Sequence, residues 1–148
     1  MESKEQLLKN LKQQWYETIP LSAFMKVEPI RYDTDLLVVT APIEPNINCH
    51  NTMFAGSIST LATLTGWGMF WLQQQLQQVQ GSIVLANANI RYLAPITSRP
   101  LAKVSWPNNE LTHLKQGKKQ GVELNVEICC EEKVCALFTG KYVSLPKS

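Results

Sequence analysis

The chain has 148 residues, 45% of them hydrophobic and 18% charged, with a formal net charge of +2. That length is most simply one domain with room for a real core, and so small a charge excess makes no case for nucleic acid while tolerating an anionic ligand. The four cysteines (Cys49, Cys129, Cys130, Cys135) form no Cys-x-x-Cys pair and have too few histidine partners for a zinc site, so they read as reduced thiols of a cytoplasmic protein and no metal is expected.

From about Lys4 to Glu17 an amphipathic helix is expected, with Leu7, Leu8, Leu11 and Trp15 as its apolar face. Its charged start is unlike a secretory signal. Phe24 to Tyr32 and Leu36 to Ile43 are β-rich runs joined by the turn Asp33-Thr34-Asp35. After Glu44 the next formal charge is Arg91, so Pro45 to Ile90 is neutral whenever His50 is. Within it, Thr52 to Leu72 has the length of a membrane span. Nine of those 21 residues are Ser, Thr or Gly, however, and no basic residue flanks either end. A buried helix fits better, with Asn51 or Thr52 offering an N-cap. Ala55, Ser59, Ala62 and Gly66 form a small-residue stripe that lets the helix lie close to a sheet, and Ile58, Leu61, Leu72, Leu76 and Val79 add apolar bulk. Trp67 and Trp71 form an aromatic edge, and the glutamine-rich end is expected to emerge into solvent before Gly81.

Strands dominate the remainder. Ser82 to Ile96 alternates, with Val84, Ala86, Ala88, Ile90 and Tyr92 on one face and Asn87, Asn89 and Arg91 on the other. Leu101 to Trp106 is shorter and stops at Pro107-Asn108-Asn109. Val122 to Cys130 alternates, and Glu131-Glu132-Lys133 turns the chain into Val134 to Leu145. Strands interrupted by helices indicate an α+β domain with an antiparallel sheet. One sheet wrapped round one long central helix is the hot-dog arrangement, here a single domain with an N-terminal helix over residues 1–20 and the core over 21–148.

"NINCHNTMFAGSISTLATLTGWGMF", followed by "ANANIRYLAPI", resembles the hot-dog thioesterases, and within them the YiiD C-terminal thioesterase-like domain. Thr52, Phe54, Gly56, Ser57, Leu64, Gly66 and Trp67 carry the closer likeness, which extends over about Leu21 to Leu145. The resemblance implies hydrolysis of an acyl-CoA or acyl-carrier-protein thioester at a site shared between two subunits. It implies a homodimer joined through sheet edges, with assembly up to a tetramer left open. Coenzyme A enters only as part of the substrate.

Thioester hydrolysis needs a donor for the oxyanion, a placed water and a group to polarise that water. The N-terminus of a buried helix offers unpaired N–H groups and a positive dipole end, which makes the N–H of Ala55 or Gly56 the expected oxyanion donor. Asn48 matches the motif's Asn, near the attacking water and thioester in the relatives; the plainer reading is a turn cap in Pro45-Asn46-Ile47-Asn48. The position where best-known relatives carry a catalytic carboxylate falls on Thr63, a poor base without activation. An acid could then arrive from elsewhere or from the partner subunit, with Glu44, Asp33, Asp35 and Glu110 as candidates. Alternatively Asn48 and Thr63 hold water in a slow site, or the fold binds thioesters without cleaving them. His50, two residues from Asn48, could act as a base, a role histidine often takes, but reads equally as an exposed loop residue, and a Cys49–His50 nucleophile pair is disfavoured because adjacent loop residues rarely face each other. Ser59 and Thr65 read as packing hydroxyls, and His113 as solvated.

Lys115, Lys118 and Lys119, with Arg91, Arg99 and Lys103, could receive the phosphates of coenzyme A, although a solvated charged loop is the plainer reading for any one lysine. Trp67, Phe70 and Trp71 are candidates to bound the acyl chain, with Phe54 at the head of the helix as a further substrate contact, while aromatics at helical spacing are more often core. A non-catalytic acyl-thioester binding module is the alternative function. A hot-dog dehydratase would need a His facing an acid, and no such motif is present.

Overall fold

A computed structural model describes residues 2–147 of the chain. In sequence order the elements are α1 (Lys4–Thr18), α2 (Pro20–Phe24), β1 (Glu28–Asp33), β2 (Leu36–Thr40), a 3-10 turn (Glu44–Asn46), α3 (Ala55–Leu76), β3 (Gly81–Tyr92), β4 (Leu101–Ser105), α4 (Thr112–Lys115), β5 (Gln120–Cys130) and β6 (Lys133–Pro146). The six strands form one antiparallel sheet in the order β1-β2-β4-β5-β6-β3, and α3 packs across it. The arrangement is the expected α+β sheet around one long helix.

Ser3 opens α1, its hydroxyl accepting the Gln6 N–H, and the helix buries Leu7, Leu11 and Trp15. The run from Phe24 does not begin a strand, because Pro20 sits at the start of a further short helix, where its fixed φ is already helical. Lys26, at φ 60°, then turns the chain into β1.

Two glycines of α3 set its depth. A side chain on Gly66 would collide with the Tyr142 ring rising from β6, whose hydroxyl donates to the Thr63 carbonyl at 2.8 Å. Gly68, about 200° round the helix, admits the Trp15 ring of α1. Of the expected small-residue stripe, Ala62 and Gly66 are buried, Ser59 is half-buried and Ala55 is exposed.

Two expectations change. First, the pairing of β3 with β6 shifts register between Leu85 and Asn87, leaving Ala86 as an extra residue, so the face of β3 changes phase midway. Ile83 and Leu85, then Ala88, Ile90 and Tyr92, lie opposite the buried β6 positions Ser144, Tyr142, Gly140, Phe138 and Ala136, whereas Val84 falls on the outer face and is 46% exposed. The strand also stops at Tyr92 instead of Ile96. Second, the glutamine-rich end of α3 is not simply released to solvent. Gln73 donates to the Tyr32 hydroxyl at 3.0 Å, while Gln74 donates to the Gly81 carbonyl and accepts from the Ser144 hydroxyl at 2.6 Å. These paired amides are buried, and beyond them Gln75, Leu76, Gln78 and Gln80 are exposed. Among the described residues no helix is long and apolar enough to cross a membrane.

Gly66→Ala is expected to destabilise the fold by about 1–3 kcal/mol through overpacking against Tyr142, read as a lower urea midpoint at unchanged slope. Gly121→Ala, whose added methyl meets only ordinary contact, is the control and should leave the midpoint close to wild type. Equal midpoints for all three proteins would contradict the role given to Gly66.

Candidate active site

The chain enters α3 through a closed loop built on Asn48. Its side-chain oxygen accepts the N–H of His50 at 2.8 Å and of Thr52 at 3.1 Å, and its amide donates to the Thr52 hydroxyl at 2.9 Å. The Asn48 N–H reaches the Thr52 carbonyl at 2.8 Å, Ile47 bridges Met53, and the Phe54 N–H bonds the Asn46 carbonyl at 2.7 Å. Asn51 takes the left-handed conformation at φ 62°, which Asn adopts more easily than most residues.

The consequence is an uncapped helix. The N-cap position is Phe54, not Asn51 or Thr52, and its side chain cannot accept a hydrogen bond. The first N–H of this helix to find a carbonyl is that of Ile58, on Phe54 at 3.0 Å. Those of Ala55, Gly56 and Ser57 have no protein partner among the described residues. The Phe54 ring lies over Gly56, where any side chain would collide with it.

A pocket of about 360 Å³ opens at this first turn, lined by Asn48, Met53, Ala55, Ile58 and the segment from Tyr92, where β3 ends, to Pro95. Tyr92 donates its hydroxyl to the Ala55 carbonyl at 3.1 Å. The lining carries no carboxylate and no cation. On the other flank of the turn, Leu21, Phe24, Phe54, Gly56, Ser57 and Thr60 help to line an apolar groove of about 320 Å³.

Of the residues expected at the site, Asn48, Ala55, Gly56 and Phe54 gather at the head of α3. His50 and Cys49 are exposed on the adjoining loop. Thr63 lies eight residues on, about 12 Å along the axis, with its hydroxyl donating to the Ser59 carbonyl at 2.8 Å. Trp67 and Trp71 line a separate polar pocket with Gln14, Thr18, Gln74 and Lys147, and the Trp67 indole N–H reaches the Ile83 carbonyl at 3.2 Å. Phe70 is core, fully buried against Trp106. Arg91 is exposed on the outer face of the sheet, opposite Leu137. Lys115 and Lys118 are exposed on and just after α4, which sits at the far end of α3, where Gln77 accepts the Leu111 N–H at 2.9 Å. With 22 residues α3 spans about 33 Å, so within one chain these lysines and the pocket lie at opposite ends.

The candidate acids are elsewhere too. Asp33 is held by Lys4 at 3.1 Å and Arg31 at 3.7 Å, and the Lys4 hydrogen bond lowers its pKa. Asp35 accepts from the Tyr32 hydroxyl at 3.1 Å in the same β1–β2 turn. Glu44 and Glu110 are exposed. Burial raises the Tyr142 phenol pKa and keeps it a donor, but it points to the middle of α3, away from the pocket. Among the described residues no three of His, Cys, Asp or Glu gather as metal ligands.

Sequence reasoning missed Met53, Ile58 and the Tyr92-to-Pro95 wall as pocket residues. Reading Ser82 to Ile96 as one continuous strand hid the wall; the chain leaves the sheet at Tyr92, and the Met53 N–H bonds the Ile96 carbonyl at 2.9 Å.

The family described as "Putative thioesterase (yiiD_Cterm)" matches residues 8–146. A solved putative thioesterase from Shewanella oneidensis is 56% identical, with 96% of this chain and 99% of that one covered and a TM-score of 0.95. A protein of unknown function from Chlorobaculum tepidum is 32% identical over 97% of this chain and 96% of that one, with a TM-score of 0.90. The E. coli PaaI protein from the phenylacetic acid degradation operon shares the fold at 19% identity and a TM-score of 0.74, over 99% of each chain. With an uncapped helix of the hot-dog fold opening into a neutral pocket, and a family match over nearly its whole length, the chain belongs to the putative thioesterase (yiiD_Cterm) family.

Proposed function

We propose that the protein hydrolyses an acyl thioester of coenzyme A or acyl carrier protein at the head of α3. The observation that carries this reading is the set of three unpartnered N–H groups, Ala55 to Ser57, at a helix N-terminus bordering a largely apolar pocket. Water attacks the carbonyl carbon, and the oxygen that becomes negative is held by the N–H of Ala55 or Gly56. One preorganised donor of this kind is worth about 3 kcal/mol. The new C–O bond forms, the C–S bond breaks, and the proton leaving the water ends on the thiolate sulfur. Asn48, already fixed by three hydrogen bonds, orients the water from the pocket wall. A second reading, binding without cleavage, is favoured by one feature, the absence of any carboxylate from the pocket lining.

The working unit in this reading is a homodimer with a shared site. The two edges of the sheet are built differently. β1 carries Pro29, Arg31 and a register shift, and α1 is tied along it by Lys4–Asp33 and Lys12–Glu28. β3 is 12 residues long, has no proline, is uncharged from Gly81 to Ile90, and exposes Val84 and Leu85. Such an edge invites another strand. A two-fold axis pairs it with its own copy, antiparallel, which reverses the partner's α3 and lays the half-buried stripe of Thr63, Trp67 and Trp71 against the opposite subunit's site.

Release of free thiol from a panel of acyl-CoA and acyl-carrier-protein thioesters tests the reaction. Ala55→Asp sharpens it, because stability and activity should move apart. A carboxylate in the first turn favours the helix by about 0.3–1 kcal/mol, while the same charge beside a forming oxyanion is expected to cut hydrolysis at least about 100-fold. Full activity in Ala55→Asp would remove the site from the head of α3. Tight binding of thioesters with no turnover would leave the second reading. For the assembly, light scattering should give a dimer for wild type and a monomer for Val84→Lys, which sets like charges near the pairing axis; a wild-type monomer would contradict the shared site.

A further inference from the structure

We infer that the Tyr92 phenol is a second donor to the thioester oxygen, a catalytic role that rests on the thioester reading of this pocket. Among the residues lining the pocket, Tyr92 carries the only side-chain O–H, and the only other side-chain donor is the Asn48 amide, one of whose two N–H groups is engaged with Thr52.

The strand aims the phenol. Tyr92 is the last residue of β3 and lies opposite Ala136, on the helix-facing side of the sheet. The register shift across Ala86 carries Ala88, Ile90 and Tyr92 onto that side in step with the buried β6 residues. The hydroxyl then stands 3.1 Å from the carbonyl of Ala55, in the same residue whose N–H is unpartnered. That carbonyl lies inside α3 and has the helix's own i+4 N–H as a partner. The phenol proton can therefore swing about its C–O bond to a ligand without orphaning the carbonyl. A ligand oxygen in the pocket would meet the N–H of Ala55 or Gly56 from the helix and the Tyr92 O–H from the strand. No proton need leave the tyrosine, since its hydrogen bond strengthens as the oxygen gains charge.

The competing role is a strut that ties β3 to the head of α3. Tyr92→Phe keeps the ring and removes only the hydroxyl, and three readouts separate the roles. A second donor predicts a fall in kcat of about 10²–10³-fold, as for removal of one oxyanion donor, with binding of a non-hydrolysable acyl-CoA thioether within threefold and the urea midpoint close to wild type. It also predicts that wild type binds a trifluoromethyl-ketone analogue of acyl-CoA, whose hydrate mimics the oxyanion, more tightly than the thioether, and that Tyr92→Phe loses that excess. An unchanged kcat, or parallel losses in both affinities and in stability, would overturn the inference. If wild type releases no thiol at all, the hydrolase reading fails by itself. The ratio of the two analogue affinities still decides Tyr92: retained in Tyr92→Phe, it overturns the donor role; abolished, it upholds it.

Discussion

A helix without a single charged residue must be covered almost all round, and the way α3 is covered organises the molecule. The sheet takes one side, through the close approach of Tyr142 to Gly66, and α1 takes another, through Trp15 against Gly68. Its C-terminal turns are pinned by buried amides on Tyr32, Ser144 and Gly81. Its N-terminal turn is treated differently. The loop that delivers the chain spends the Asn48 side chain on itself, so the N-cap falls to Phe54, which has nothing to offer the exposed N–H groups. A helix end left unsatisfied beside a pocket is the place where a ligand's carbonyl can complete the hydrogen bonding.

The neutrality of this site follows from the same constraint. A carboxylate at Thr63 would sit on the half-buried stripe of α3 with its desolvation only partly offset. The chain places a hydroxyl there that bonds back to Ser59. The candidate acids lie away from the site: Asp33 and Asp35 have local partners at the end of β1 and in the turn that follows, and Glu44 and Glu110 are exposed. Polarisation in such a pocket depends on aligned neutral donors, which act strongly where water is excluded and no charge must be desolvated beforehand. The unprotected β3 edge ends at Tyr92 in the pocket wall, so pairing through that edge, as proposed, would bring the partner's half-buried helix stripe over the pocket and exclude water from it.

Much of this was legible in the sequence because it depends on local pattern. The charge-free run, its small residues at helical spacing and the alternating strands on either side give α3, the sheet and their order. The motif from Asn48 to Gly66 points to the head of the helix as the candidate site. What was not legible depends on pairing at a distance. Val84, Ala86, Ala88, Ile90 and Tyr92 alternate without interruption, and nothing local signals the extra residue at Ala86; it becomes visible only against β6. Tyr92 shares a face with Ala88 and Ile90, as the alternation predicts, but its contact to Ala55 is not visible in the sequence. Gln73 and Gln74 look like a solvent-facing end until Tyr32, Ser144 and Gly81 arrive as partners. Asn48 reads either as a turn cap or as the motif's Asn beside the attacking water; the structure shows the turn cap and sets it on the pocket wall. The lysines of the α4 loop share a charge pattern with phosphate sites but lie at the far end of α3 within one chain.

The central claim is that the uncapped first turn of α3 receives the thioester carbonyl. Backbone amide shifts followed during titration with a non-hydrolysable acyl-CoA thioether test it most directly, because each N–H reports for itself. The account predicts saturable shifts largest at Ala55, Gly56 and Ser57, accompanied by the neighbours of Tyr92. Binding that moved the amides around Lys115 and Lys118, or around Trp71 and Lys147, while leaving the first turn of α3 unperturbed, would contradict it.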